Sequence, residues 1–282
     1  MIVNADDFGL TSGVNRAIIE LHQAGVLTSA TLMAKAAATE EAIERARANP
    51  TLGVGCHVVL ADGEPVLQAS QIPSLIDRRT GRFHQTLGAF LARLFTGRIA
   101  AAEIEAEAAA QITSLQKRGI RLTHVDTHKH THMFPHVLRA VLRAASAAGI
   151  HAVRNPFEPE WAVNATPRAS WMRTGEVIAL RRLGPYFRRL ILQQGFKTTD
   201  GTIAMAGTGT FDASAARALL NQMPEGTWEL VTHPGYNDAD LAKIRTRLRE
   251  SRDIERNALH ALKEFPAIDL IAYNSLAPAS IV

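Results

Sequence analysis

Short apolar runs alternate with longer segments of helical periodicity along almost the whole of this 282-residue chain. Residues 29–33 form one such run, and they follow residues 11–24, whose apolar side chains recur at helical spacing. Gly25 stands where a helix commonly stops. This order is typical of a parallel sheet covered by helices.

The same patterns predict about seven or eight βα units. Predicted strands cover residues 1–4, 29–33, 52–60, 122–126, 152–154, 202–205, 228–232 and 269–273. Predicted helices cover residues 11–24, 40–49, 135–148, 213–223 and 249–264, with two more between 86 and 118 that part near Thr96 and Gly97. The sequence therefore favours an α/β fold, an irregular TIM-like (β/α) barrel in a single domain, with residues 155–200 as an insertion that shapes the cleft.

Composition narrows the function classes. The chain is 46% hydrophobic and 21% charged, which is typical of a globular domain with an ample core. Cys56 is the only cysteine, so an internal disulfide and a thiolate-rich metal site are both excluded. The N-terminus lacks a signal-like pattern and no apolar run reaches the roughly 18 residues that cross a bilayer, so we expect a cytoplasmic protein.

The net charge of +4 is only mildly basic. Arginines cluster in residues 181–189 and 245–252, and we interpret them as solvated helix faces and expect no nucleic acid partner. Attraction of residues 181–189 to anionic lipid head groups is a weaker alternative.

Polar side chains gather where the predicted strands end, which is where sites form in barrels of this kind. Asp6 and Asp7 end the first strand, His57 lies near the end of the third, and His233 follows a late strand. Mixed carboxylate and imidazole ligands suit a divalent cation such as zinc. Alternatively, the Asp-Asp pair is a turn or helix cap, His57 is a packed imidazole, and His233 is a loop histidine instead of a general acid.

A histidine-rich segment, residues 124–132, is the most specific signal. His124, Asp126, His128, His130 and His132 alternate, so they share one face if the chain stays extended. We expect His128 to bind metal, with Asp126 or His130 fixing its tautomer and His124 or His132 serving the structure.

Two arginines are further candidates for contact with the ligands or the substrate. Arg154 ends a short predicted strand. Arg252 precedes Glu255 by one helical turn, so the two either form a local ion pair or Arg252 steadies a catalytic carboxylate.

Taken together, these segments resemble the YdjC-like carbohydrate deacetylase family, which includes chitooligosaccharide and hopanoid-associated deacetylases. The matching segments are NADDFG at residues 4–9, LTSATLM at 27–33, GVGCH at 53–57, HVDTHKHTH at 124–132, THPG at 232–235 and the Arg252-x-x-Glu255 pattern. Cys56, Val58 and Lys35 depart from the family pattern without removing a catalytic group.

The resemblance implies an irregular (β/α) barrel that hydrolyses an N-acetyl group on an amino sugar. It implies that Asp7, His57 and His128 hold one divalent metal ion, that Asp6 is the catalytic base and that His233 is the acid. It further implies a homodimer. Independently of the resemblance, the basic residues 181–189 would allow peripheral membrane contact if the sugar is part of a glycolipid.

Two rival hypotheses remain at this point, a metal-dependent phosphoesterase and a sugar-binding module without turnover. Zinc and magnesium are both open, although two imidazole ligands favour zinc.

Overall fold

Six parallel strands form the central sheet of the protein, whose computed structural model describes residues 1–167 and 171–276. The strands, including a separate antiparallel hairpin of β4 and β5, are β1 (Ile2–Phe8), β2 (Ser29–Leu32), β3 (Gly53–Val58), β4 (Ile76–Asp77), β5 (Arg82–Phe83), β6 (Val125–Thr127), β7 (Gly201–Ile203) and β8 (Trp228–Thr232). The order across the sheet is β6-β3-β2-β1-β8-β7. All seven residues of β1 are buried, as expected for a parallel strand covered on both faces.

Helices alternate with these strands. They are α1 (Ser12–Gln23), α2 (Thr39–Ala48), α3 (Leu87–Phe95), α4 (Ala101–Lys117), α5 (Pro135–Ala147), α6 (Glu160–Ala165), α7 (Trp171–Leu180), α8 (Gly184–Gln193), α9 (Ala213–Asn221) and α10 (Ser251–Ala258). The predicted break between α3 and α4 is confirmed, with Gly97 at φ 69°. Thr11 caps α1 by accepting the backbone N–H of Val14 at 3.2 Å. Together, these helices and the curled sheet form the irregular α/β barrel that the sequence predicts.

Irregular backbone fills the gap between β6 and β7. Val153 bridges to Val125 and donates its N–H to the carbonyl of Lys197 at 3.0 Å. Thr202 of β7 donates its N–H to the carbonyl of Phe157 at 3.2 Å. These bonds carry backbone pairing from one edge of the sheet toward the other.

Two predicted strands are wrong. Residues 152–154 make only single-residue bridges, from Val153 to Val125 and from Ala152 to Lys197. In residues 269–273, Ile271 donates one backbone N–H to the carbonyl of Met1, and the chain then turns into the 3₁₀ helix Tyr273–Ser275. The sheet consequently has six strands, fewer than the predicted seven or eight units.

Residues 155–200 hold α6, α7 and α8, and their role in shaping the cleft stays a prediction. None of the helices in the described ranges combines the length and apolar character needed to cross a membrane.

Candidate active site

Three donor atoms converge at the carboxyl ends of the strands. Oδ1 of Asp7 lies 3.6 Å from Nε2 of His57 and 3.3 Å from Nδ1 of His128, and the two ring nitrogens are 3.2 Å apart. A tetrahedral zinc site with bonds of about 2.0–2.1 Å places its ligand atoms about 3.3 Å apart. The three predicted ligands therefore fit one small divalent cation.

Asp7 reaches this group because the backbone turns at the end of β1. The residue has φ 63°, in the left-handed region that Asp tolerates better than most residues, and the pairing of β1 with β2 shifts register between Ala5 and Phe8. Arg252 of α10 donates to Oδ2 of Asp7 at 2.5 Å. Burial alone would raise the pKa of Asp7, but Arg252 and the neighbouring histidines outweigh it and hold the pKa well below its usual range.

Strand register orients His57. In the pairing of β3 with β6, His57 stands opposite Asp126, and its Nδ1 lies 2.8 Å from Oδ1 of that carboxylate and 3.1 Å from the hydroxyl of Thr31. A proton on Nδ1 leaves the lone pair of Nε2 free to face Asp7 and His128. Burial would lower the pKa of His57, but Asp126 and the other nearby carboxylates raise it to about 9.

The chain does not stay extended through the histidine-rich segment. It turns after Thr127 into a 3₁₀ segment, where Lys129 and His130 have φ of 58° and 52°. The predicted shared face is therefore wrong, and Asp126 contacts His57 where we expected it to contact His128. The side chain of His128 is 20% exposed, so the three-residue group opens to solvent on this side.

The other histidines of the segment lie outside the three-residue group. His124 stacks on Tyr273 with ring centroids 3.7 Å apart. His132 accepts the hydroxyl of Thr127 at 2.7 Å, and its Nε2 lies 3.2 Å from the carbonyl of Arg154. Nδ1 of His130 has no hydrogen-bond partner among the described residues, so the expected role of His130 at His128 has no contact to support it.

Asp6 is buried beside Arg154. Arg154 donates to both of its oxygens, at 2.9 Å to Oδ2 and 2.6 Å to Oδ1. Oδ1 also accepts from Asn4 at 3.0 Å and from Thr31 at 3.2 Å, so Oδ2 is the less occupied oxygen. Burial would raise the pKa of Asp6, but Arg154 and His57 outweigh it and lower the pKa far enough to keep the carboxylate ionised.

Arg154 is fully buried and forms ion pairs with three carboxylates. Besides Asp6, it contacts Asp126 at 2.5 Å and Glu229 at 2.8 Å. Burial raises the pKa of Glu229, and the hydroxyl of Tyr273 donates to the same carboxyl group. A second group of possible metal donors, Asp6 with His57 and Asp126, is thus already occupied by this guanidinium.

His233 lies beside Asp6, with Nε2 3.8 Å from Oδ2. On its other side, Nδ1 lies 3.6 Å from Oε2 of Glu255, an ion-pair distance slightly longer than a hydrogen bond. Burial would lower the pKa of His233, but Glu255, Asp6 and Asp7 raise it above its usual value.

The local Arg252–Glu255 ion pair, one alternative from the sequence, does not form among the described residues, because Arg252 contacts Asp7 and Glu255 contacts His233. The contacts of Thr31, Glu229 and Tyr273 were not predicted from the sequence. Glu229 carried a usable signal, since it is a charged residue inside an apolar strand.

Comparisons with known proteins identify the family of the chain. The model of the YdjC-like protein family matches residues 1–265. A protein of Brevibacillus brevis named carbohydrate deacetylase is 44% identical over 127 residues, and the match covers 45% of this chain and 48% of that protein. Another of that name, from Thermoanaerobacter pseudethanolicus, is 26% identical over 92% of this chain and 90% of its own length.

Solved structures share the fold. A protein of Enterococcus faecalis, provisionally described as a cellobiose-phosphate cleavage protein, superposes with a TM-score of 0.75 at 27% identity and covers 97% of both chains. A lactam utilization protein of Thermus thermophilus, with a TM-score of 0.52 and 16% identity over 96% of this chain and all of that one, has a similar fold.

Proposed function

The chain belongs to the YdjC-like protein family, and we propose that it is a metal-dependent hydrolase that removes the acetyl group from an N-acetylated amino sugar. One observation carries the proposal. A three-donor group that fits a small cation lies beside Asp6 and His233, a carboxylate and an imidazole whose facing atoms are 3.8 Å apart. Metal-assisted amide hydrolysis uses all three parts: an electrophilic cation, a proton acceptor and a proton donor.

The substrate class comes from the relatives. The match to the Brevibacillus brevis protein spans about half of either chain, whereas the Thermoanaerobacter pseudethanolicus match spans 92% of this chain. Both relatives are named carbohydrate deacetylase, which supports an acetylated sugar as the substrate class. We further propose that the substrate is an oligosaccharide or a glycolipid.

Asp7, His57 and His128 would hold one cation. Two imidazoles and one carboxylate favour zinc over magnesium, which prefers oxygen ligands. When bound, a divalent cation supplies Lewis acidity, lowering the pKa of water in its shell from 15.7 to about 7 and polarising the amide carbonyl. Asp126 orients His57 for this role, and Arg252 orients Asp7.

Asp6 takes the proton of the attacking water at Oδ2, the oxygen that accepts fewer hydrogen bonds. Its lowered pKa keeps the carboxylate ionised at any working pH, but it also makes Asp6 a weak base. A cation held by Asp7, His57 and His128 would ease this proton transfer by lowering the pKa of the water. Arg154 fixes the carboxylate through two bonds, so the accepting oxygen does not rotate away.

His233 gives its Nε2 proton to the nitrogen of the leaving amine, which is too basic to depart as an anion. Its raised pKa increases the fraction of the imidazole that carries a proton to donate. Afterwards Asp6 is protonated and His233 is neutral, and the raised pKa of His233 against the lowered pKa of Asp6 favours return of the proton between them. That transfer restores both groups for the next turnover.

The description of the Enterococcus faecalis neighbour raises phosphate chemistry as a rival. Phosphoesterase sites commonly hold two metal ions about 3.5–4 Å apart, bridged by several carboxylates. Here Arg154 occupies the second donor group, so that Asp7, His57 and His128 are the donor group left free for a cation among the described residues. A binding module without turnover would require neither Asp6 nor His233 in its present place.

Product identification tests the proposal. The purified protein, supplied with zinc, is incubated with N-acetylglucosamine, chitobiose, an N-acetylglucosaminyl lipid and p-nitrophenyl phosphate, and acetate, free amine and phosphate are measured. We expect acetate and amine in equal amounts from at least one sugar, and no phosphate. Release of phosphate alone would replace the proposal with a phosphoesterase.

A further inference from the structure

Glu255 is a buried carboxylate that neither binds the cation nor transfers a proton in the proposed mechanism. It lies on α10, and its Oε2 accepts the backbone N–H of His233 at 2.6 Å while lying 3.6 Å from Nδ1 of the same residue. Its Oε1 accepts the N–H of Gly209 at 3.4 Å. Two backbone contacts thus fix the carboxylate against one edge of the imidazole.

Charged groups approach His233 from two elements. From β1 come Asp6 and Asp7, and from α10 comes Glu255, while Arg252 of the same helix contacts Asp7. Arg154 makes two hydrogen bonds to Asp6, and Arg252 contacts Asp7, so each of these carboxylates has an arginine partner.

Glu255 differs from those two carboxylates. Among the described residues it has no lysine or arginine partner, and the imidazole of His233 is its one cationic neighbour. Its negative charge is therefore not compensated by a guanidinium, in contrast to the charges of Asp6 and Asp7. The electrostatic effect of Glu255 on the imidazole is correspondingly the strongest of the three.

We propose that Glu255 is the counter-ion of His233, a positioning residue that keeps the imidazole protonated with Nε2–H facing Asp6. The assignment deepens the proposed function, on which it rests for the role of His233 as proton donor. The charge state of His233 can nevertheless be measured without substrate.

Burial and charge act in opposite directions on this histidine. Burial lowers the pKa of His233, whereas Glu255, Asp6 and Asp7 raise it, with Glu255 giving the largest of these contributions. Loss of the Glu255 charge should leave burial less opposed. The imidazole would then become neutral at a lower pH, and fewer molecules would hold a proton to donate.

The test is a histidine NMR titration of the zinc-loaded protein. The chain has 11 histidines, and the His233 signal is assigned by its loss in His233→Gln. Glu255→Gln removes the charge but keeps the size of the side chain, and Glu250→Gln removes the charge of an exposed carboxylate preceding α10 as a matched control. Circular dichroism checks that each variant is folded.

We expect the His233 midpoint to move to lower pH in Glu255→Gln and to stay unchanged in Glu250→Gln. The alkaline limb of the pH profile of kcat/KM should move in the same direction, an effect that a merely structural role would not produce. An unchanged midpoint in folded Glu255→Gln would overturn the inference, whatever the activity. A lowered midpoint without acetate release from any variant would support the inference and count against the proposed function.

Discussion

Replacement of Arg154 by methionine should be one of the most destabilising single changes in the chain. The guanidinium is fully buried and contacts Asp6 at 2.6 and 2.9 Å, Asp126 at 2.5 Å and Glu229 at 2.8 Å. Methionine fills much of the volume but leaves three buried carboxyl groups without their cation. Breaking a buried ion pair by removing one partner costs about 3–5 kcal/mol.

Thermal and urea unfolding measure this loss. For a chain of this size, about 3–5 kcal/mol corresponds to a fall in Tm of roughly 6–20 °C. Arg217→Met is the matched control, because Arg217 also makes two hydrogen bonds, each 2.7 Å long, to a carboxylate, Glu264, but is about half exposed. An exposed pair of this kind contributes at most about 1 kcal/mol.

The pH dependence supplies a second signature. Without the guanidinium, the buried carboxyl groups should bind protons more tightly in the folded state than in the unfolded state, so the variant loses stability as pH rises. The difference between wild type and Arg154→Met should therefore be largest near neutral pH and shrink in acid. A loss below about 1 kcal/mol at pH 7, equal to that of the control, would refute this account of Arg154.

Three further predictions concern the catalytic pair, the cation and acid stability. Asp6→Asn should abolish acetate release but keep cation binding, as measured by kinetics and calorimetry on the same sample; near-wild-type activity would remove Asp6 as the base. Asp126→Asn should weaken cation affinity about 10–100-fold in a chelator competition, because it frees His57 to rotate, and unchanged affinity would contradict that role. Burial lowers the pKa of His124 to about 3 and of His132 to about 4, so each contributes stability that is present above about pH 6.5 and lost as pH falls toward those values. His124→Gln should therefore reduce the acid slope of the unfolding free energy by about 1.4 kcal/mol per pH unit, and an unchanged slope would exclude His124 as a source of it.

The barrel could be predicted because parallel strands that are buried on both faces consist of consecutive apolar residues, which are visible in the sequence. Residues 228–232 show this well, since the predicted and observed bounds of β8 coincide. Residues 152–154 and 269–273 are also apolar, but they make only isolated backbone contacts in irregular surroundings. Local pattern cannot reveal how many partners a short segment finds.

The three donors of the cation group could be proposed from residue type and strand position, whereas their supporting partners could not. His57 and Asp126 meet because of the register of β3 and β6, across 69 residues of sequence. The turn at Lys129 takes the later histidines away from a shared face. It depends on left-handed backbone conformations, which an alternating residue pattern does not predict.

Glu255 illustrates the same limit on α10. Its one-turn spacing from Arg252 suggested a local pair, but each side chain finds a partner on a different strand end, Asp7 and His233. The helix thereby holds a proposed ligand and the proposed acid together. Only the packing of α10 against the barrel mouth creates that link.

The most direct test of the central claim is a cation titration of the metal-stripped protein with acetate release as the readout. The protein is stripped with a chelator, supplied with zinc or magnesium in sub-stoichiometric steps, and assayed against the best N-acetylated sugar. We predict that release is absent after stripping, rises linearly and reaches a plateau at one equivalent per chain, and that His57→Ala shows no such rise. Release that survives complete stripping, or a plateau at two equivalents, would contradict a single-cation site formed by Asp7, His57 and His128.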